Sequence, residues 1–385
     1  MTISDQIRFV GVNDHEIDLF EGQYRVPNGM SYNSYVILDK QIAVMDSVDA
    51  HFGAQWLENI AGALAGRTPD YLVVQHMEPD HSANVAAFVD AYPQAKIVAT
   101  AKAFAMMKQF FGTDFPERQV VAAEGSTLAL GQHTLHFVPA PMVHWPEVMV
   151  SYESSEKVLF SADAFGKFGA LDVPEDDWAC EARRYYFGIV GKYGIPVQAL
   201  LRKAGALDIQ TICPLHGPVL TGDLTPYLSL YQTWSSYQAE SQGVAVFYAG
   251  AYGHTRAAAL LLADELRARG CEAVTVTDLA RCDMAEAVED AFRYDRLALA
   301  SITYNGDVFP FMREFLHELS ERAFQNRAVG LMENGSWAPA AAKQMRALLA
   351  PCKNLTFAPT TVTVRSAPDD AARAQIKALA AELWP

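Results

Sequence analysis

Short apolar runs separated by turns dominate the chain from Gln23 to about Gly217, and they are mixed with amphipathic stretches of helical period. The predicted strands are Ser34–Leu38, Gln41–Asp46, Tyr71–Gln75, Lys96–Ala99, Thr134–Pro139, Val148–Tyr152, Lys157–Ala162 and Ile209–Pro214. The predicted helices are Ala54–Ala65, Ala83–Tyr92 and Ala101–Phe110. This mixture predicts a layered α/β domain with two sheets.

From Val244 onward the predicted strands and helices alternate regularly. The predicted strands are Val244–Tyr248, Glu272–Thr277, Leu297–Ile302, Arg327–Met332 and Leu355–Val364, and the predicted helices are Arg256–Arg269, Ala285–Ala291, Pro310–Arg322, Ala338–Leu349 and Asp370–Leu383. This alternation predicts a doubly wound parallel sheet of flavodoxin size. The polar stretch Glu240-Ser-Gln-Gly243 follows a predicted helix, Tyr227–Ala239. We therefore expect two domains, residues 1–243 and 244–385.

Composition narrows the possible functions. Hydrophobic residues make up 51% of the 385 residues, which is enough for large buried cores. The net charge of −15 argues against a nucleic-acid-binding protein and against docking to an anionic membrane. The acidic excess lies in the first domain, which has 15 basic and 28 acidic residues, whereas the second has 15 and 17.

Cysteine spacing and the amino-terminal residues add two expectations. The five cysteines include no C-x-x-C pair, which argues against a zinc ribbon, an Fe–S cluster, a fused rubredoxin or a disulfide framework. The chain begins without the basic stretch and apolar run of a signal peptide, and no run approaches the roughly 18 apolar residues that would span a bilayer. We expect a soluble, cytoplasmic protein.

The clearest chemical feature is the run His76-Met-Glu78-Pro-Asp80-His81, which follows the predicted strand Tyr71–Gln75 and precedes a helix that Ser82 would cap. Four ligand-type residues on one loop at a strand end can converge on one or two cations. A solvated polar loop is the alternative interpretation, but such loops rarely gather four potential ligands. The run therefore predicts a metal site.

Three further residues occupy equivalent positions. His144 follows a predicted strand, and Asp163 and His216 each stand just after another. Because the same ends of neighbouring strands meet in space, these three and the four ligands of the first run predict a binuclear centre. Each of the three by itself would be an ordinary core histidine or surface acid.

The ligand types help to choose the metal. Four imidazoles and three carboxylates, without a thiolate, suit Zn, Mn or Fe. Two divalent ions bring four positive charges against three carboxylates, so a bridging hydroxide would leave the site about neutral. Because Glu78, Asp80 and Asp163 are hard anionic donors, oxidation to the trivalent state is tolerable. The set favours iron and redox chemistry.

These motifs resemble those of the flavodiiron proteins (A-type flavoproteins), which join a metallo-β-lactamase-like domain to a flavodoxin domain. The similarity rests on the His76–His81 motif, His144-Trp145-Pro146, Asp163 and His216-Gly217-Pro218. The run Gly29-Met-Ser-Tyr-Asn-Ser-Tyr-Val-Ile37 resembles the family's Gly-Thr-Ser-Tyr-Asn-Ser-Tyr, and hydrolases of the superfamily carry His where this chain has Glu78. The resemblance covers essentially the whole chain and implies an αββα sandwich followed by a flavodoxin-like doubly wound parallel sheet.

Carried over by position, the resemblance implies two non-haem iron ions bridged by Asp163. One iron would take His76, Glu78 and His144, and the other would take Asp80, His81 and His216. We expect these seven residues to be both the metal ligands and the catalytic residues.

A loop of small residues, Ala249-Gly250-Ala251-Tyr252-Gly253-His254-Thr255, joins the first strand of the second domain to a helix. Such a loop presents backbone N–H groups and the positive end of a helix dipole to a phosphate. It does not fit the dinucleotide pattern G-x-G-x-x-G, which disfavours NAD and FAD. Two more loops, 301–306 and 333–338, follow the third and fourth strands, at the edge where open α/β sheets bind ligands.

The second domain resembles flavodoxin, which implies FMN. The expected cofactor contacts are Ala249, Gly250, Ala251, Tyr252, Gly253, His254, Thr255, Ser301, Thr303, Tyr304, Asn305, Gly306, Asn334, Gly335, Ser336 and Trp337. Two departures from the family are His254, where Asn is usual, and Ile302, where Pro is usual. The third loop also lacks the usual Gly-Ser-Tyr-Gly-Trp.

A diiron pair and a reduced FMN each hold two electrons. Together they match the four needed to reduce O2 to water and cover the two needed to couple two NO molecules to N2O. We expect an oxygen and/or nitric oxide reductase fed by an external donor, a rubredoxin or a flavin reductase. The resemblance implies a head-to-tail homodimer, or a dimer of dimers.

Two other functions stay open at the level of the residues. One is a zinc-dependent metallo-hydrolase fused to a flavodoxin-like module, in which zinc would activate water. The other is a flavodoxin-type electron carrier whose first domain is a docking platform. Metal content distinguishes the zinc hydrolase from the reductase. Consumption of O2 and NO by variants of the predicted metal ligands distinguishes the electron carrier from the reductase. The ligands alone do not separate O2 from NO as substrate.

Overall fold

The computed structural model describes residues 3–174 and 177–385, and its internal contacts divide the chain into two compact units. One unit comprises Met1–Tyr186 and Ile195–Gln232, and the other comprises Phe187–Gly194 and Thr233–Pro385. The boundary that the sequence predicts after Gly243 falls inside the first strand of the second unit, Ser241–Ala249.

The first unit contains many short strands and several helices. Its strands are β1 (Ile7–Phe9), β2 (Val12–Asp14), β3 (Leu19–Phe20), β4 (Tyr24–Arg25), β5 (Met30–Tyr32), β6 (Tyr35–Ile37), β7 (Ala43–Met45), β8 (Tyr71–Val73), β9 (Lys96–Thr100), β10 (Gln119–Ala122), β11 (Thr127–Ala129), β12 (Thr134–Pro139), β13 (Met149–Glu153), β14 (Val158–Phe160), β15 (Thr211–Cys213) and β16 (Leu220–Thr221). Its helices are α1 (Gly53–Leu64), α2 (Pro79–Ser82), α3 (Val85–Ala91), α4 (Ala101–Phe111), α5 (Trp178–Tyr185), α6 (Gly194–Ala204) and α7 (Thr225–Ser235), of which α6 and α7 extend into residues of the second unit.

Two six-stranded mixed sheets form the centre of this unit. Their strand orders are β1-β6-β7-β8-β9-β10 and β11-β12-β13-β14-β15-β16. Apolar side chains from both sheets share one core, in which the rings of Tyr35 and Phe160 meet with centroids 5.4 Å apart. The two-sheet α/β domain predicted from the sequence is confirmed.

Helix α4 shows how local sequence sets these elements. Thr100 caps its first turn, because the Thr100 hydroxyl accepts a hydrogen bond from the backbone N–H of Ala103. Gly112 ends it in the left-handed conformation at φ 71°. The helix buries Phe104 and Met107 and lies on β9 and β10.

The second unit alternates strands and helices throughout. Its strands are β17 (Ser241–Ala249), β18 (Val274–Asp278), β19 (Tyr294–Tyr304), β20 (Asp307–Val308), β21 (Ala328–Asn334) and β22 (Thr356–Val364), and its helices are α8 (His254–Ala268), α9 (Met284–Arg293), α10 (Pro310–Glu321), α11 (Ala341–Leu348) and α12 (Asp370–Leu383).

Five parallel strands form the sheet of this unit in the order β18-β17-β19-β21-β22. Successive residues of β17 point to opposite faces, and both faces are covered. Val246 belongs to the core under α8 and α12, whereas the ring of Phe247 lies 4.5 Å from that of Phe315 in α10. Burial on both faces explains why β17 reads as an uninterrupted apolar run. The predicted doubly wound parallel sheet is confirmed.

Within the described ranges, no helix combines the length and the apolar composition needed to cross a bilayer.

Candidate metal centre and flavin pocket

One group of four predicted ligands converges in the first unit. Ligand atoms of His76, Glu78, His144 and Asp163 all lie within 4.8 Å of one another. The Nε2 atom of His76 is 3.2 Å from Glu78 Oε2 and 3.1 Å from Asp163 Oδ2. The Nε2 atom of His144 is 3.0 Å and 3.3 Å from the same two oxygens. Two imidazoles and two carboxylates thus point at one small volume.

The other three predicted ligands form a second group. Asp80, His81 and His216 bring one ligand atom each to within the same 4.8 Å limit. The Nε2 atoms of His81 and His216 are 3.0 Å apart, and each is 3.3 Å from Asp80 Oδ2. This group is almost completely buried.

Asp163 lies between the two groups and faces both. Its Oδ2 atom is the oxygen near His76 and His144, whereas its Oδ1 atom is 3.3 Å from His81 Nε2 and 3.8 Å from His216 Nε2. A carboxylate with one oxygen toward each group has the geometry of a bridging ligand. The structure therefore brings all seven predicted metal residues together, in two groups with Asp163 shared.

The segment that follows β8 supplies four of these ligands, His76 and Glu78 from a loop and Asp80 and His81 from a short helix that the sequence did not predict. Pro79 starts α2, and its single turn carries Asp80 and His81 inward. The prediction that Ser82 caps the next helix is wrong. Helix α3 begins at Val85, and the Ser82 hydroxyl instead donates a hydrogen bond of 2.8 Å to the carbonyl of Met77.

A buried carboxylate that sequence reasoning missed orients His76. Glu147 Oε1 lies 2.9 Å from His76 Nδ1 and accepts a hydrogen bond of 2.9 Å from the backbone N–H of Met77. Glu147 is 2% exposed. With Nδ1 committed to this carboxylate, the imidazole presents Nε2 to the metal site, an arrangement typical of metal-bound histidines. The one signal for it in the sequence is that Glu147 follows His144 by three residues.

The run Gly29–Ile37, noticed only through its resemblance to the family, holds the loop of His216. The Ser31 carbonyl lies 2.7 Å from His216 Nδ1, and the Ser31 hydroxyl accepts from the N–H of Gly217. The side-chain amide of Asn33 donates to the carbonyls of Pro214 and Gly217. These contacts fix the strand end that delivers His216.

The charges of the site are strongly coupled. Burial alone lowers the pKa of His76, but Asp163, Glu147 and Glu78 outweigh burial and raise that pKa above its usual range. Burial raises the pKa of Asp163, but the histidines around it hold the pKa well below the usual range. Imidazoliums thus compensate buried carboxylates, a role that a metal cation performs on binding with release of the protons.

The residues fit a metal by a second criterion. Both carboxylate oxygens of Asp80 and of Asp163 are buried and have no hydrogen-bond partner among residues 3–174 and 177–385. A buried carboxylate without hydrogen bonds is costly unless a cation compensates it. The donor set of four imidazoles and three carboxylates suits Zn, Mn or Fe.

Glu21 is a second carboxyl group beside the site that the sequence did not reveal. It lies at the surface in the turn between β3 and β4, and desolvation by neighbouring groups together with the charge of Glu78 raises its pKa to about 7. A lone Glu in a polar turn carries no signal of this position.

The second unit contains a cavity of about 790 Å³ at the carboxyl ends of its parallel strands. Predicted cofactor residues that line it are Ala251, Tyr252, His254, Thr255, Thr303, Tyr304, Asn305, Gly306, Asn334, Gly335, Ser336 and Trp337, and Ile302, Ala338 and Ser366 line it as well. Tyr252 is 94% exposed and Trp337 is 89% exposed, so both rings are free to stack on a ligand.

Four predicted contacts do not line this cavity. Gly250 and Gly253 border a neighbouring cavity, and Ala249 is fully buried at the end of β17. Ser301 is also buried, and its hydroxyl accepts from the N–H of Phe309 and donates to the carbonyl of Ile302. Ser301 therefore shapes its loop from inside.

The loop at the start of α8 fits a phosphate. The Thr255 hydroxyl is buried and has no hydrogen-bond partner in the part of the chain that the structure describes. Gly250 lies against Thr255, because a Cβ on Gly250 would come 2.9 Å from Thr255 Cβ. An unpartnered buried hydroxyl at a helix N-terminus suits an anionic group of a ligand.

Comparison with known proteins gives a class that agrees with this fold and these sites. The profile of the ODP family beta lactamase matches residues 30–217. A nitric oxide reductase of Moorella thermoacetica is 30% identical over 329 residues, which cover 83% of this chain and 82% of that protein. The solved structure of rubredoxin oxygen:oxidoreductase from Desulfovibrio gigas superposes with a TM-score of 0.92 and 27% identity, covering 100% of this chain and 97% of that one.

A metallo-β-lactamase-like αββα sandwich joined to a flavodoxin-like sheet is therefore the class of this protein, as predicted. The chain belongs to the flavodiiron protein family. A putative diflavin flavoprotein A 1 of Nostoc sp. is 30% identical, and the chain spans 58% of its length; for the corresponding protein of Thermosynechococcus vestitus the share is 56%.

Proposed function

We propose that this protein reduces O2 to water and/or NO to N2O at a diiron centre, with electrons delivered through FMN from an external donor. The observation that carries the proposal is the position of Asp163, whose two oxygens face two separate groups of ligands. The names of the Moorella and Desulfovibrio relatives, a nitric oxide reductase and a rubredoxin oxygen:oxidoreductase, support the same activity.

We assign each metal position its ligands by these groups. His76, Glu78 and His144 would hold one iron and Asp80, His81 and His216 the other, with Asp163 shared. When bound, two irons supply two electrons on passing from the diferrous to the diferric state, and reduced FMN supplies two more. Glu147 orients the His76 ring, and the hydrogen bonds from the Gly29–Ile37 run orient His216. Buried carboxylates stabilise the oxidised metal through their charge.

The flavin would occupy the 790 Å³ cavity with its phosphate at the loop before α8. Thr255 would bind the phosphate through its unpartnered hydroxyl. Tyr252, Tyr304 and Trp337 would stack on or border the ring system. In this assignment residues 244–385 form the FMN domain and residues 1–243 the diiron domain.

The remaining parts of the proposal concern partners. The electron donor would be a rubredoxin or a flavin reductase, and the name of the Desulfovibrio relative supports the first of these. We further propose a head-to-tail homodimer, or a dimer of dimers, located in the cytoplasm, in which the flavin of one chain serves the diiron site of the other.

Consumption of O2 and of NO by the reduced protein tests the function. The FMN- and iron-loaded protein should consume both or either gas when a donor reduces it anaerobically, and Asp163→Asn should lower the rate by at least a hundredfold while FMN stays bound. The matched control is Asp172→Asn, since Asp172 is exposed and pairs with His15. Undiminished consumption by Asp163→Asn would show that the first domain does not carry the reaction.

A further inference from the structure

A second cavity, of about 430 Å³, lies beside the loop that precedes α8. Small residues of that loop line one side, and the side chains of Tyr248, Arg256, Asp278 and Arg281 line the rest. Ala251 borders both this cavity and the flavin cavity. Its volume lies within the range of roughly 300–1,000 Å³ that is typical of small-molecule sites.

The position of this cavity in the sheet separates it from the flavin site. It lies at the carboxyl ends of β17 and β18, where Tyr248 and Asp278 stand opposite each other in register. The flavin cavity is lined by loops that follow β17, β19 and β21, on the other side of β17. The crevice outside the carboxyl ends of parallel strands is where open α/β sheets bind ligands.

The charges in the cavity favour an anion that also carries hydroxyl groups. Two arginines, Arg256 and Arg281, and one carboxylate residue, Asp278, line the cavity. Arg281 Nη1 is 2.8 Å from Asp278 Oδ2, yet the Arg281 side chain is 75% exposed and can turn to a ligand. Asp278 Oδ1 accepts from the N–H of Ala280, which keeps the carboxylate in place.

The residues that line the cavity indicate which ligand groups it can hold. The neighbouring loop does not have the G-x-G-x-x-G pattern of a pyrophosphate cradle, so a single phosphate is expected. Tyr248 is only 7% exposed and offers no open ring face for stacking a base. In α/β nucleotide folds an acidic residue at such a strand end accepts hydrogen bonds from ribose hydroxyls, and a nearby Arg receives a phosphate.

We propose that this cavity binds a sugar phosphate, with the phosphate held by Arg256 and Arg281 and a sugar hydroxyl held by Asp278. The ligand is either a free pentose phosphate or the ribose phosphate of a nucleotide, which share this chemistry. The proposal is independent of the reaction at the metal centre.

Calorimetric titration of the FMN-loaded protein with ribose 5-phosphate, AMP and inorganic phosphate tests the proposal. Ribose 5-phosphate should bind saturably and at least several-fold more tightly than inorganic phosphate. Arg281→Gln should weaken it about tenfold, which is the size of one charge-assisted hydrogen bond. Asp278→Asn should weaken ribose 5-phosphate but not inorganic phosphate, since only the sugar hydroxyl needs the carboxylate.

The matched control is Arg267→Gln, because Arg267 also pairs with an Asp three residues earlier, Asp264, but lies outside the cavity. AMP binding much more tightly than ribose 5-phosphate would identify a nucleotide as the source, and equal affinities would identify the sugar phosphate itself. Four results would each overturn the proposal. Two are a failure of ribose 5-phosphate to bind saturably and a weakening by Arg267→Gln as large as that by Arg281→Gln. The other two are inorganic phosphate binding as tightly as ribose 5-phosphate and release of FMN in proportion to added ligand.

Discussion

The two ring nitrogens of His76 have different partners. Nε2 faces the metal site, and Nδ1 forms a hydrogen bond with the Glu147 carboxylate. The Glu147 carboxylate also accepts from the backbone of Met77, so one side chain fixes both the ring and the strand end that carries it. Removal of such an outer carboxylate commonly lowers metal affinity 10- to 100-fold. Glu147 therefore controls the first ligand group without belonging to it.

We predict that Glu147→Ala lowers the affinity of the metal position of His76 by about 10- to 100-fold. Glu147→Gln should have a smaller effect, because an amide oxygen can still accept from His76 Nδ1 and from the N–H of Met77. Competition between the metal-free protein and a chromophoric chelator measures both. Glu124→Ala, at an exposed residue paired with Lys203, is the control. Unchanged affinity in Glu147→Ala would contradict the role assigned to this carboxylate.

His133 provides a pH-dependent element away from the metal centre. Its ring nitrogens lie 3.0 Å from Asp39 and 3.0 Å from Glu156. Burial alone lowers the pKa of His133, but its hydrogen bonds to Glu156 and Asp39 outweigh burial and raise that pKa above its usual value. A raised pKa means that the folded state holds the proton more tightly than the unfolded state. This stabilisation is complete below the ordinary value of about 6.5 and is lost as the pH rises through the folded-state pKa.

We predict that His133→Gln lowers the free energy of unfolding by about 1–3 kcal/mol at pH 6, the size of hydrogen bonds to charged groups, and by less at pH 9. Urea unfolding of both proteins at the two pH values measures the difference. His136→Gln, in the strand β12 that begins directly after His133, is the control, because the ring of His136 faces Tyr152. An equal loss of stability at pH 6 and pH 9 would be inconsistent with a charged His133.

The type and spacing of the residues predicted which seven side chains lie together, but not the groups that orient them. The seven predicted ligands stand in segments that follow strands, and the folding of the two sheets brings these segments together. Glu147 lies 71 positions from His76 and looks like any surface acid in the sequence. Glu21 comes close to Glu78 and Ser366 lines the flavin cavity through turns whose conformation depends on tertiary packing, so no local pattern could reveal them.

At the level of elements, most long strands and helices follow from the sequence, whereas most short ones do not, and one long helix, α6 (Gly194–Ala204), was not predicted. Strand Thr134–Pro139 and helix Asp370–Leu383 have the predicted bounds. Strands β1 to β5 have only two or three residues each, too few for an alternating pattern to be read. Helix Trp178–Tyr185 was also not predicted, and it buries Arg183 and Arg184 on the face where apolar residues would be expected.

The loop between β17 and α8 gives a test at this scale. A Cβ at Gly250 would lie 2.9 Å from Thr255 Cβ and 3.0 Å from Thr255 Oγ1. We predict that Gly250→Ala displaces the Thr255 hydroxyl and weakens FMN binding about tenfold, which corresponds to about 1.4 kcal/mol. Quenching of FMN fluorescence on titration of the flavin-free protein measures this affinity.

Gly62→Ala is the matched control, because Gly62 lies in α1 and a Cβ there meets nothing within 4 Å. FMN affinity should stay at the wild-type value in this variant. If Gly250→Ala also bound FMN with wild-type affinity, Thr255 would not be the phosphate ligand.

At the scale of the whole molecule, the sequence predicted both folds and the gathering of the site within each. The acidic excess of the first domain has a partial explanation in buried carboxylates, since Glu147, Asp80 and Asp163 are all less than a tenth exposed. The boundary between the units could not be predicted as well, because residues 187–194 pack with the second unit although they precede residues of the first. The chain passes from the first unit to the second, back, and again to the second, and local composition does not indicate these crossings.

The central claim is that seven residues in two groups hold two redox-active irons in a protein that also binds FMN. Elemental analysis of protein purified anaerobically from cells supplied with both iron and zinc, combined with flavin quantitation, tests it most directly. The account predicts two irons and one FMN per chain, with both irons lost from Asp163→Asn and FMN retained. Two zinc ions and no iron per chain would contradict the account and support the metallo-hydrolase alternative.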